Sequence, residues 1–122
     1  MNEPPSGGLA FKYGDGRAEV AFHYASWLKL IKAIIVKFAN RTREEAERLV
    51  SSSQITNTPP ENSGQAGFLS HEYEYHWAML IAHGEGYWRH GVPYPPPDSY
   101  WEWEQNYRSE NGLPEESFGW KD

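Results

Sequence analysis

Helical spacing places three side chains that could do chemistry on one stripe. On a 3.6-residue helix, Glu72, His76 and His83 project within about 40° of one another. Two imidazoles and a carboxylate are a donor set suited to zinc or non-haem iron. The spacing works against such a site on one helix. Glu72 and His76 are one turn apart, but His76 and His83 are two turns apart, about 10 Å at the helical rise per residue. Position 75 is Tyr75, so His71-Glu72 does not open a His-Glu-x-x-His pattern. A metal would need ligands from elsewhere, such as His23 or His90. The simpler expectation is hydrogen-bonded histidines in the seam of an aromatic core, with no metal and no cofactor. Glu72 also sits beside Tyr73, Tyr75 and Trp77, where partial burial would raise a carboxyl pKa toward that of a general acid. No second carboxylate is fixed beside it by spacing, as a glycosidase requires. The chain has no Gly-x-Ser-x-Gly, phosphate loop or dinucleotide fingerprint. An enzyme is therefore the weaker expectation.

The second constellation combines rings with carboxylates. Residues 68–120 hold 13 of the 19 aromatic side chains. From residue 51 onward, 11 Asp/Glu face three Lys/Arg, whereas residues 1–50 carry eight Lys/Arg and six Asp/Glu. Trp88, Trp101, Glu102 and Glu104 flank the run Val92-Pro93-Tyr94-Pro95-Pro96-Pro97, which contains Tyr94, and Glu85 precedes it. These six are the expected partner-binding residues, because rings anchor interfaces and carboxylates steer a basic partner. Nucleic acid is not expected as a partner. The net charge is −6, and the helix after Asn40-Arg41 opens with Glu44, Glu45 and Glu47, which would face phosphates.

The elements that must position these residues read as helices. From about Arg17 to Ala39, Val20, Tyr24, Trp27, Leu28, Ile31, Ile34, Ile35 and Phe38 fall within an arc of about 120°, the pattern of an amphipathic helix. Thr42-Arg43-Glu44-Glu45 is a capping box that starts a second helix, Arg43 to about Ser52. A third runs from about His71 to His83 with Ser70 as its cap; it is apolar nearly all round, hence central. The proline run is extended. Asp98 caps a fourth helix, Ser99 to about Glu110, ended by Asn111-Gly112. In it, Tyr100, Trp103 and Tyr107 face inward, and Glu104 with Arg108, four residues on, makes an ordinary helix pair worth about 0.3–0.5 kcal/mol. Residues 1–16 read as a flexible arm, with a possible short strand at Leu9–Tyr13, and residues 51–67 as a polar loop. The expected fold is a single all-α domain: a compact four-helix arrangement around a central aromatic-rich helix.

Other features narrow the class. There is no cysteine, which removes disulfides and thiolate chemistry and fits a reducing cytoplasm. Met1-Asn2-Glu3-Pro4-Pro5 lacks the basic start and apolar run of a signal peptide, and the apolar stretch Leu28–Phe38 is too short and too charged to span a bilayer. In type, the chain resembles small, acidic, cysteine-free bacterial inhibitor or immunity proteins. That resemblance implies a cytoplasmic protein-binding module, such as an immunity protein or antitoxin that neutralises a basic toxin enzyme. Two alternatives are a small enzyme or metal-binding protein using the Glu72/His76/His83 stripe, and an oligomeric structural component.

Overall fold

The structure, a computed structural model, describes residues 8–13 and 18–121. Its organising element is a strand. Ala18–Phe22 alternates small or polar residues with Val20 and Phe22, both fully buried, and forms β2. On one edge β2 pairs antiparallel with β1 (Leu9–Tyr13), from Leu9 opposite Phe22 to Tyr13 opposite Ala18. On the other it pairs antiparallel with β3 (Phe118–Lys121), from Glu19 opposite Lys121 to Phe22 opposite Phe118. The sheet order is β1-β2-β3. The Phe22 and Phe118 rings stack, with centroids 4.3 Å apart and planes 5° from parallel.

The all-α four-helix expectation is therefore wrong. Among the described residues the fold is mixed, with six α-helices and a three-stranded antiparallel sheet. The physical reason lies in the length of β2. Five residues of period-two alternation are too few to stand out, and Val20 falls by coincidence on the apolar arc of the helix that follows. The same holds for the tail, where Phe118 and Trp120 alternate with Gly119 and Lys121. Residues 1–7 and 14–16 of the expected flexible arm lie outside the described residues, and β1 occupies Leu9–Tyr13.

Helix α1 (Tyr24–Phe38) starts seven residues after the expected start at about Arg17. It buries Trp27, Leu30, Ile31, Ile34 and Ile35 completely. The chain reverses at Asn40 with φ 59°, a left-handed conformation that asparagine tolerates better than most residues. Helix α2 (Arg43–Ser52) then opens on the capping box: Glu45 N–H donates to Thr42 Oγ1 at 3.1 Å, and Thr42 N–H donates to Glu45 Oε1 at 2.8 Å.

The segment expected as a polar loop, residues 51–67, is largely helical. It holds the end of α2, all of α3 (Gln54–Asn57) and the start of α4 (Ser63–Ser70). Its polar side chains serve as local caps. Ser53 Oγ accepts from Ile55 N–H at 3.2 Å, Asn62 Oδ1 accepts from Gln65 N–H at 2.9 Å, and the Thr56 hydroxyl donates to Val50 O at 2.6 Å. Thr56 is itself buried, and the Tyr24 hydroxyl donates to its carbonyl.

Helix α5 (Glu74–His83) begins three residues after the expected start. Ser70 is the reason. It ends α4, with its hydroxyl donating to Gly67 O at 2.8 Å, and does not cap α5. Helix α5 packs along α1, burying Tyr75, Trp77, Ala78 and Met79, so the centre is a pair of helices and not one. The Trp77 indole N–H donates to Leu69 O at 2.8 Å and joins α4 to α5. Gly84, at φ 89°, ends α5. A 3₁₀ turn (Tyr87–His90) and the proline run lead to α6 (Ser99–Glu110). Asp98 precedes α6 with helical backbone angles and no side-chain cap bond, contrary to its expected role. Among the described residues no helix is long and apolar enough to cross a membrane.

Phe22 carries the junction between sheet and helices, touching Tyr24, Trp27 and Phe118. Phe22→Ala should cost about 3–5 kcal/mol in urea unfolding, the range for emptying an aromatic core position. A loss below about 1 kcal/mol would show that the sheet does not depend on this ring.

Candidate functional site

The short turn between α4 and α5 presents Glu72 and Tyr73 at the surface, and two groups of residues meet there. On one side the His76 Nδ1 lies 2.8 Å from the Tyr87 hydroxyl, and the Tyr94 hydroxyl donates to both Glu72 carboxylate oxygens at 3.2 Å. Trp88 packs edge-on against Tyr94 at 5.2 Å and lies 6.4 Å from the His76 ring. The proline run thus folds back so that Tyr94 stacks over Tyr87. Burial lowers the His76 pKa, opposed by the charge of Glu72, and burial raises that of Tyr87, so the imidazole and phenol meet as neutral partners.

On the other side is a cleft of about 300 Å³ between the α4–α5 turn, α6 and the segment leading into β3. Its walls include Tyr73, Trp101 and Trp120, which expose 59%, 43% and 52% of their surfaces. Tyr73 meets Trp101 edge-on at 4.8 Å. The cleft collects the carboxylates of Glu72, Glu74, Glu104, Glu115 and Glu116 against one cation, Arg108. Glu72 belongs to both groups and makes them one continuous face.

The floor of the cleft is a buried ionic network. Arg108 Nε donates to Glu104 Oε2 at 2.7 Å, and its Nη2 lies 3.4 Å from Glu74 Oε2. Nη1 donates to Pro114 O at 3.0 Å, and Nη2 donates to Ser117 Oγ at 3.4 Å. The i,i+4 Glu104–Arg108 pair of the sequence expectation is present, but it is buried and tied to other elements, so it is more than an ordinary helix pair. Two carboxylates share one guanidinium here. Burial raises the Glu74 pKa, with the neighbouring Glu104 charge adding to it, although Ser117 and Arg108 pull the other way. His23 lies close enough for Arg108 to reinforce the lowering of its pKa by burial.

Among the expected partner-binding residues, Trp88 and Tyr94 line one group, each 42% exposed. Trp101 lines the cleft with Glu104, but Glu104 is buried against Arg108 and is part of the floor. Glu102 is exposed in the first turn of α6 and does not line the cleft. Glu85 is exposed in the turn between Gly84 and Gly86. The structure also does not gather the metal alternative. Among the described residues no group of three or more His, Asp or Glu side chains is arranged to hold a metal ion. His83 lies at the surface, with its pKa lowered by partial desolvation of the ring and by Arg41, while Glu72 and His76 are engaged by Tyr94 and Tyr87.

Sequence reasoning passed over Glu74, Arg108, Glu115, Glu116 and Tyr73 as site residues. Glu115-Glu116 reads as a solvated turn, and Tyr73 reads as an inward face of a longer helix. No local pattern marks them: Glu104 and Arg108 show only the spacing of a helix pair, and the fold brings Glu74, Glu115 and Glu116 to them. Compared with known proteins, the chain matches no family model, no curated protein and no solved structure.

Two predictions follow from the floor. Arg108→Met should cost about 3–5 kcal/mol in chemical denaturation, because it strands two buried carboxylates. The raised Glu74 pKa means that the folded chain binds more protons than the unfolded chain above the ordinary carboxyl range. Stability from this group is therefore lost as pH rises from that range through the folded pKa. Glu74→Gln should remove that component, so the stability difference between Glu74→Gln and wild type should move in favour of the variant as pH rises. A difference that stays constant with pH would contradict the assignment.

Proposed function

We propose that the chain is a stoichiometric protein-binding module that neutralises a basic enzyme, in the manner of a cytoplasmic immunity protein or antitoxin. The observation that supports this reading most is the cleft: exposed rings form its walls, and carboxylates outnumber its single guanidinium. A lysine or arginine of a partner entering it would lie against ring faces, with a cation–π attraction of about 0.5–2 kcal/mol per contact. It would also offset the surplus negative charge over the floor. Glu115 and Glu116 at the rim are exposed and would act at longer range, raising the encounter rate. Trp88 and Tyr94, joined to the cleft through Glu72, would extend the contact.

The test is capture from a lysate of the source organism at low and high salt, with wild type beside a Trp101→Ala/Glu115→Lys/Glu116→Lys variant. All three positions are exposed, so the fold should survive. The expected result is one near-stoichiometric basic protein held by wild type, weakened by salt, and lost by the variant. Losing an anchoring Trp alone should cost about 2 kcal/mol or more. Equal capture by both proteins, or no captured protein, would contradict the reading.

A further inference from the structure

The helix that walls the acidic cleft has a second surface of opposite character. Trp103 and Tyr107 stack at 5.3 Å on another side of α6 and border an open groove of about 1200 Å³ between α6, α1 and α2. Lys29, Lys32, Lys37 and Arg43 line this groove, against one carboxylate, Glu47. Glu47 is already bound by Lys32 at 2.6 Å. Lys29, Lys37 and Arg43 form no ion pair among the described residues. The groove therefore offers three cations without ion-pair partners beside an aromatic pair. The complementary surface, exposed rings among surplus carboxylates, is the acidic cleft on the same molecule, and the two share no lining residue.

We propose that the basic α1/α2/α6 groove binds the acidic cleft face of a second copy of this chain, head to tail. The contact joins two different patches, so it is heterologous: a bound pair still has one free groove and one free cleft, and assembly continues until a ring closes or mass action limits it. The whole-molecule charge of −6 opposes approach, but at physiological salt it is screened beyond about 8 Å, whereas pairs in contact are not. The same net charge works against a polyanionic strand as the occupant. Because the acidic face would be covered, self-association and capture of a basic partner compete, yet this inference stands on the purified chain alone and survives if no such partner exists.

Sedimentation at about 0.15 M salt tests it, over concentrations up to about 1 mM, where weak contacts are populated. Wild type should rise in mean mass above the 14.1 kDa monomer as concentration increases. Two reversals at exposed positions follow: Lys29→Glu/Lys37→Glu in the groove and Glu115→Lys/Glu116→Lys at the cleft rim. Each variant alone should remain monomeric. Mixed in equal amounts, they should associate again, because the native groove of one meets the native cleft of the other and the reversed groove complements the reversed cleft rim. Wild type that stays monomeric, variants that still self-associate, or a mixture that does not associate would each overturn the proposal.

Discussion

Arg108 is the interaction on which the arrangement of the site depends. Its guanidinium reaches Glu104 in its own helix, Glu74 at the start of α5, and Pro114 and Ser117 in the segment that delivers β3. One side chain thereby fixes the angle between α5 and α6 and the path of the chain into the sheet. A buried ion pair is often no better for stability than packed apolar side chains, but breaking one is costly because it strands its partners. An apolar residue could fill the same space without specifying where Pro114 and Ser117 must lie.

Helix α6 can be read as a partition with three sides. Tyr100 points into the core, edge-on to Phe38 and Tyr75. Trp101, Glu104, Gln105 and Arg108 build the acidic cleft, while Trp103 and Tyr107 build the basic groove. The uneven charge of the chain, positive early and negative late, becomes a spatial division because α1 and α2 supply one wall and the α4–α5 turn and tail supply the other. Neither surface requires the centre of the helix pair to change.

Legibility followed the range of the forces involved. The Thr42–Glu45 box was readable because it is closed within four residues. The α1 stripe was readable from Trp27 to Phe38, where period 3.6 repeats several times, but not at Val20, where a five-residue strand mimicked its first turn. Composition pointed to Trp88, Tyr94 and Trp101, whereas their exposure is a matter of tertiary placement. Glu74 and Arg108 were not found, since their roles depend on contacts between α5, α6 and the tail that no local pattern encodes. The polar segment 51–67 misled for the converse reason. Serine, threonine and asparagine signal loops by composition, yet here they cap short helices.

The position of β2 between β1 and β3 has a kinetic consequence. β1 and β2 are close neighbours in sequence, whereas six α-helices separate β2 from β3, so the β2–β3 pairing is the most non-local in the sheet. Closing so long a loop costs more entropy and is slow relative to local pairing. During that interval the second edge of β2 offers unpaired backbone groups beside the Phe22 ring, a template for any extended segment nearby. In the folded chain β3 covers that edge of β2.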